Sequence, residues 1–518
     1  MTGRLGGRPR GLPLLLLAVA VLLGGAAAIA PWATAAAAGT ASALAWAVAA
    51  RRRAMAAWGA MFGALVLAYA VGSRGVAHLG WPPVYVGEIA LAAGLLAFAL
   101  DRMGRRPASV DAAPWPPSVR IPVALLLALV AWGALRTAPF LGRYGVDALR
   151  DGAVWGYAAF AFLGVGALDR PARLRAVVRT YARLVPLGLA GMLAALVLAT
   201  VAPDAIPRVP GGDVPVLDPK FGDVAVHLAG ALAATSLGLG AAWRRAGGGR
   251  GPAGGRAFGW AGAARWAVAG LWVATFAATL GARAALATVA VAGVVLVVLH
   301  PRSGWLRPAY LASLLLVAAS LTGARYEAAN DRVVSAERLG VAVRSVTGDV
   351  GARGLDATRT WRLAWWGDVV AYTVGGPHRW TGKGFGVNLA DVDGYQVHAD
   401  RSLRSPHNVT VTFLARAGLP GAVAWLAFVA ALLTALAAAW RARRREAAGG
   451  DPEAAAWTAL NATLLVYLTA FLVNASLDVY LEGPQGGIWF WSVVGVALAA
   501  LRHQAPAARD GGPAAGSR

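Results

Sequence analysis

The chain has 518 residues, 58% of them hydrophobic and only 14% charged, against about a quarter charged in ordinary soluble domains. That composition excludes a water-soluble globular fold and marks an integral membrane protein. The net charge of +23 does not point to nucleic acid, because Lys and Arg stand in short clusters between apolar runs and not on one amphipathic face. The absence of cysteine removes disulfides and thiolate chemistry.

In chain order, Arg4, Arg8 and Arg10 precede an apolar run from Gly11 to Ala30, long enough to cross about 30 Å of hydrocarbon. Its charged start and small residues also fit a cleavable signal peptide, but further spans follow at once. Trp32 to Ala50 and Ala54 to Gly72 flank Arg51, Arg52 and Arg53, and Val84 to Leu100 ends at Asp101, Arg102, Arg105 and Arg106. Further spans are expected near Ile121 to Leu135, Val154 to Leu168, Leu184 to Val201, Gly222 to Trp243, Phe258 to Leu280, Arg283 to Leu299 and Trp305 to Leu321. Three more lie near Asn408 to Trp440, Ala455 to Val473 and Gly487 to Leu501.

The fold class is therefore an all-α integral membrane protein of about fourteen transmembrane helices with one large extracytoplasmic loop subdomain. Its expected divisions are an N-terminal helix bundle over residues 1–321, the loop over 322–406, C-terminal helices over 407–503 and a cytoplasmic disordered tail over 504–518. Alternate connections carry the basic clusters, so the positive-inside rule places both termini in the cytoplasm and 322–406 outside. The 21 Trp suit anchors at helix ends, and GGGRGPAGG at 247–255 reads as a flexible linker. Within the outer segment, Ala324 to Val346 has helical composition. Thr358 to Val374 places Trp361, Trp365, Trp366, Val369 and Tyr372 at helix spacing, which reads as an amphipathic helix on the bilayer or as aromatic faces for sugars.

The chemistry concentrates between Gly382 and Gly421, where a polar, glycine-rich segment runs back into apolar sequence: GKGFGVNLADVDGYQVHADRSLRSPHNVTVTFLARAGLPG. Arg401, Arg404 and His407 stand together at this junction, and a histidine there can serve as a general base. Lys383 is followed by Gly instead of Ser or Thr, so the glycines are no P-loop. His378, His398 and His407 with Asp391, Asp393 and Asp400 lack metal-ligand spacing, so no metal or other cofactor is expected. Arg283 heads an otherwise uncharged span, where a cation either snorkels to the interface or faces an anion.

A G-x-G-x-G segment, a variable loop, then His407-Asn408 opening a helix that ends in Gly418-Leu419-Pro420-Gly421 resembles the O-antigen ligase and polymerase family of membrane glycosyltransferases. Four further places agree between about Arg208 and Trp491. Arg208 lies in a segment similar to the family's R-x-x-G-x-(F)-x-x-P-N, with Lys220 where that pattern has Asn. Arg283 matches the family's membrane arginine, with Gly281-Ala282 in place of its usual serine. The Thr358 to Val374 helix resembles the family's Arg-x-x-x-Trp helix before G-x-G-x-G, and Asn474 to Gly495 resembles the last outer loop, with Asp478 and Glu482 its only acids.

The resemblance implies an inverting, metal-independent enzyme of lipopolysaccharide or cell-envelope biosynthesis in the bacterial inner membrane, its active site facing the periplasm. The donor would be a glycan on polyprenyl (undecaprenyl) diphosphate, the acceptor a lipid or glycan hydroxyl, and the surroundings membrane lipids, with no nucleic acid. His407 would take the acceptor proton, Asn408 would fix the helix start, and Arg283 and Arg208 would hold the diphosphate with Arg143 or Arg404 nearby. O-antigen ligase, polysaccharide polymerase and protein O-oligosaccharyltransferase share this donor. A transporter or flippase of the same lipid is the alternative from another class.

Overall fold

The computed structural model describes residues 51–103, 115–247, 258–279, 282–300, 326–328, 332–334 and 353–504, apart from 82, 83 and 211. The spans expected at Gly11 to Ala30, Trp32 to Ala50 and Trp305 to Leu321 lie outside them. Among the described residues the elements begin with α1 (Arg51–Gly72), α2 (Arg74–Ala77), β1 (Gly80–Trp81), β2 (Val84–Tyr85) and α3 (Val86–Met103). There follow α4 (Pro117–Thr137), α5 (Leu141–Tyr144), α6 (Val146–Gly156), α7 (Ala159–Ala167), α8 (Pro171–Val201), α9 (Phe221–Ser236), α10 (Leu239–Ala246), α11 (Phe258–Ala277) and α12 (Arg283–Leu299). The chain continues through β3 (Tyr326–Ala328), β4 (Arg332–Val334), α13 (Arg353–Val374) and α14 (Leu389–Val392) to α15 (Val409–Ala448), α16 (Pro452–Ala475) and α17 (Pro484–Gln504).

Six of these stretches are long and apolar enough to cross a membrane: Ala54–Gly72, Pro117–Tyr144, Pro171–Val201, Val409–Ala448, Pro452–Ala475 and Pro484–Gln504. A seventh is the pair α9 and α10, bent by 45° where Gly238 takes a left-handed conformation. α12 is apolar and shorter. Two expectations are revised. Val154 to Leu168 is not one span but the end of α6 and the whole of α7, with a break at Tyr157. Within Ala324 to Val346, the described part is an antiparallel ribbon pairing Tyr326 with Val334 and Ala328 with Arg332. The β-branched Val333-Val334 favour a strand over the mixed helical composition.

α16 and α17 form the centre, with 78% and 83% of their apolar windows buried. α9, α10, α12 and α15 pack on α16, α7 packs on α17, and α4 packs on α15. Because every one of these helices has a protein neighbour, polar side chains inside can pair across the bundle. Asn461 and Gln504 exchange amide hydrogen bonds of 2.8 and 3.1 Å, and both ring nitrogens of His227 meet tyrosine hydroxyls, those of Tyr467 and Tyr480.

The feature that positions everything else is a break in α15. Gly418 adopts φ 69° and ψ −170°, and Pro420 follows it, so Val409 to Ala417 is a short helix set off from the long one. The carbonyls freed at its end are all met. Ala415 accepts from the Lys383 amide (2.7 Å), Arg416 from the Gly384 amide (3.0 Å) and Ala417 from the Trp132 indole (2.8 Å), while the Leu419 amide donates to Arg379 (2.8 Å). A Cβ at Gly418 would stand 2.7 Å from the Arg379 carbonyl oxygen. Gly418→Ala is therefore expected to cost about 1–3 kcal/mol from the dihedral alone, and more from this clash. Gly367→Ala, with open space around it in α13, should melt like the parent. Thermal unfolding of both in detergent checks this, and a parent-like Gly418→Ala would refute the strain account.

Candidate functional site

His407 sits between a proline and a helix cap. Asn408 caps α15, accepting from the amides of Thr410 (3.0 Å) and Val411 (3.1 Å), and its own amide donates to the Ser476 carbonyl (3.2 Å). On the other side the Trp366 indole donates to the Pro406 carbonyl (2.7 Å). With both flanks fixed, His407 is held at φ +57°, a left-handed conformation that costs a residue other than glycine about 1–3 kcal/mol. That conformation brings Nδ1 to 3.3 Å from Asp478 Oδ1. Nδ1 is enclosed and makes no hydrogen bond of good geometry, and the Asp478 carboxylate, at ion-pair distance, is the acceptor within its reach. A proton on Nδ1 facing the carboxylate leaves the lone pair on Nε2, the tautomer a general base needs.

Asp478 lies in the turn between α16 and α17 and is shared. The Lys220 ammonium, at the start of α9, donates to its Oδ2 (3.1 Å), and the Val479 amide donates to Oδ1 (2.8 Å). Burial opposes its charge, but His407 and Lys220 outweigh that and hold the carboxyl well below the usual carboxylate range. The Arg362 guanidinium of α13 donates to the Leu477 carbonyl (2.7 Å) in the same turn. Its affinity for a proton is lowered first by burial and also by the neighbouring charge of Arg283, and is supported by Asp478. Arg283 opens α12, and Ala284 beside it packs against Gly222 at the start of α9.

The N-terminal ends of α9, α12 and α15 thus converge on the 474–479 turn, each presenting the positive end of a helix dipole. With Lys220, Arg283 and Arg362 set against Asp478 and the buried Asp223, which accepts from Asn474 of the turn, the formal side-chain balance of these residues is positive. Trp361, half-buried on α13, stands edge-on to the imidazole with ring centroids 6.3 Å apart and also faces Tyr395 at 6.1 Å. Trp365 and Val369 of the same stripe are fully buried with Leu389, Ala390, Leu403 and Ala415. That face of α13 lies on protein and not on the bilayer.

Of the other arginines singled out in the sequence, Arg404 is engaged in a different network. It donates to Asp151 through two nitrogens, at 3.0 Å each, and to Asp147 at 3.2 Å. Burial opposes its charge, and these carboxylates raise its pKa in spite of it. Asp151 is shared with Arg416, whose side chain is 1% exposed and 2.8 Å away. Arg416 also donates to the carbonyls of Val387 (2.9 Å) and Arg404 (3.0 Å), and Asp151 accepts from the Gly386 amide (2.9 Å). The glycines of GKGFG take positive φ at 382, 384 and 386, which lets this loop lie against Arg416, Phe140 and Tyr144. Arg143 is exposed over the Tyr144 ring (5.2 Å), and Arg208 is exposed and donates to the Asp213 carbonyl (2.6 Å). Among the described residues neither has a hydrogen bond, ion pair or ring contact with the His407 cluster.

The structure thus gathers His407, Asn408 and Arg283 at one place and adds Asp478, Lys220, Arg362 and Trp361. In sequence Asp478 stands out only as one of two acids of the last outer loop, because its partners are 71 and 258 positions away, a relation that spacing does not carry. Among the described residues no three His, Asp or Glu side chains are grouped to hold a metal ion.

The O-Antigen ligase family model matches residues 267–426, which supports an O-antigen ligase-like family for this chain. The matched stretch includes Arg283, Arg362, His407 and Asn408 and is shorter than the Arg208 to Trp491 of the sequence resemblance; Lys220 and Asp478 lie outside it. No curated protein matches the chain.

Glu482, half-buried near Arg416, accepts a hydrogen bond from Thr412 (2.9 Å), and desolvation raises its carboxyl above the ordinary 4.5 despite Arg416 and Thr412. A raised pKa means that the folded state disfavours the charge, a penalty present at neutral pH that vanishes as pH falls below about 4. Glu482→Gln keeps the acceptor for Thr412. It should raise the melting temperature by a few degrees at pH 8 and leave it unchanged near pH 4, read from thermal unfolding across that range. An equal effect at both ends would refute the assignment.

Proposed function

We propose that this O-antigen ligase-like protein is a metal-independent glycosyltransferase that moves a glycan from polyprenyl diphosphate to a hydroxyl acceptor at the outer leaflet. The observation that carries the reading is the arrangement of His407 on Asp478, beside Lys220, Arg283 and Arg362. In the reaction the acceptor hydroxyl oxygen forms a bond to the anomeric carbon while the bond from that carbon to the diphosphate oxygen breaks. The hydroxyl proton passes to His407 Nε2, and polyprenyl diphosphate leaves with the bonding pair. One in-line displacement inverts the anomeric centre.

A diphosphate leaves readily once its charge is balanced, so the protein's work is neutralisation, positioning and deprotonation. Arg283, Arg362 and the three helix N-termini balance the diphosphate, with Arg208 and Arg143 as outer contacts on the donor's approach. Lys220 holds Asp478 ionised, Asp478 holds the imidazole tautomer, and Trp361 offers an aromatic face to a sugar ring. Arg404 acts through the 382–387 loop. The segment 322–406 and the His407 end of the bundle face the periplasm of a bacterial inner membrane in this reading, with helices of 1–321 and 407–503 in the bilayer and the 504–518 tail in the cytoplasm. A ligase or a polysaccharide polymerase fits equally, since they differ in the acceptor.

A general base contributes about 10²- to 10⁴-fold in rate. His407→Gln should therefore bind donor but transfer at least about a hundredfold more slowly, because an amide replaces a hydrogen bond and cannot take a proton. Asp478→Asn should fall less and shift the pH dependence of the initial rate. The assay is glycan transfer by the purified protein, with donor binding measured separately. Near-normal turnover by His407→Gln would sink the base assignment.

Arg283→Lys tests the clamp. A planar guanidinium makes paired hydrogen bonds to phosphate oxygens that an ammonium on a flexible stem does not reproduce. The lysine variant should fold at normal yield and lose at least about tenfold in donor affinity. Parental affinity and transfer would assign Arg283 to the lipid interface.

A further inference from the structure

The helices that begin at the His407 cluster end at a second site. α12, of 17 residues, runs about 25 Å from Arg283 to Leu299, and α10, α15 and α16 reach the same far end. There a cavity of about 420 Å³ is lined by the apolar Leu237, Leu299, Trp440 and Ala459 and by Arg245 and Arg444. A shallower groove continues from it along Trp440, Arg444 and Arg445.

The charge at this end is unevenly matched. Arg173 is paired with Asp169 (3.0 Å), Arg175 with Glu453 (2.9 Å) and Arg443 with Glu446. Among the described residues no carboxylate lies within ion-pair distance of Arg245, Arg441, Arg444 or Arg445. Asp169, Glu446 and Glu453 are thus paired with other arginines and Asp451 caps α16, while the arginines lining the cavity have no carboxylate partner among the described residues, Arg444 also lying over the Trp440 ring at 5.0 Å. Cations without counter-charge beside an apolar cleft between membrane helices match a molecule with an anionic head and a hydrocarbon tail.

We infer that this cavity binds an anionic phospholipid, its phosphate between Arg245 and Arg444 and an acyl chain along Leu237, Leu299, Trp440 and Ala459. The head meets two guanidiniums able to bond phosphate oxygens, and the chain covers apolar surface that opens between α10, α12, α15 and α16. Occupancy ties together the ends of four helices, of which α12, α15 and α16 carry the His407 cluster at their other ends. The site is independent of the proposed transfer chemistry and stands or falls by lipid binding alone.

The test measures retention by native mass spectrometry and thermal stabilisation in detergent, with dioleoyl phosphatidylglycerol, dioleoyl phosphatidylcholine and inorganic phosphate as separate probes. The parent should retain and be stabilised by phosphatidylglycerol and by neither of the others. Arg245→Gln with Arg444→Gln, two exposed positions, should weaken phosphatidylglycerol about thirtyfold. Arg175→Gln, paired elsewhere, should bind as the parent does. Ala459→Trp keeps every charge and fills the cleft, so it should also lose the lipid. Equal response to phosphatidylcholine would overturn the charge argument, equal response to inorganic phosphate would make this a free-anion site, and parental affinity in the double variant would overturn the assignment.

Discussion

A backbone break inside a membrane bundle must have its polar groups met by the protein itself, since hydrocarbon supplies no partners and each unmet group costs several kcal/mol. The break at Gly418 imposes this condition on its surroundings. Three carbonyls at the end of the short helix need donors, and the 382–384 backbone and Trp132 supply them. That need explains why a loop with glycines at 382, 384 and 386 accompanies the Gly-Leu-Pro-Gly break: only residues tolerating positive φ bring those amides so close. The short helix then stands at a fixed angle, and its first residues, Asn408 and the preceding His407, are aimed at the 474–479 turn.

Two charge networks flank this helix, and they differ in kind. At its far end Arg416 and Arg404 share Asp151 in a largely buried arrangement that also bonds carbonyls of the glycine loop. Such a network contributes little net stability over apolar packing, yet removing one partner leaves a buried charge and costs about 3–5 kcal/mol. It acts as a lock on loop conformation. At its near end Asp478 stands among Lys220, His407 and Arg362, and there cations outnumber acids. An excess of positive charge in a half-enclosed place is unfavourable until an anion arrives, which suits the proposed binding and release of a diphosphate.

The bundle is electrically two-ended. Helix N-termini, Lys220, Arg283 and Arg362 gather at the His407 end. Arg245, Arg444 and their neighbours gather at the other, around a cleft with apolar walls. α9, α12 and α15 begin at the first and the far end of α16 closes the second, so the same rigid elements set the geometry of both.

Sequence alone made legible a helical membrane protein and where most of its described spans begin and end, and it pointed to His407 as a candidate base. Those properties follow from composition, run length and motif, all local along the chain. It also determined the break at Gly418-Leu-Pro-Gly and the helix start at Asn408, because cap and breaker residues act on their immediate neighbours. Only tertiary structure decided which arginines stand at the imidazole. Arg404, three positions from His407, is turned toward Asp147 and Asp151, while Arg362, far away in sequence, bonds the 474–479 turn with Arg283 as its charged neighbour. Only tertiary structure, too, made Asp478 the partner of His407, split the stretch from Val154 to Leu168, and folded Trp365 inward. Each is a relation between distant segments, set by how helices pack and where a buried charge or indole finds its counterpart.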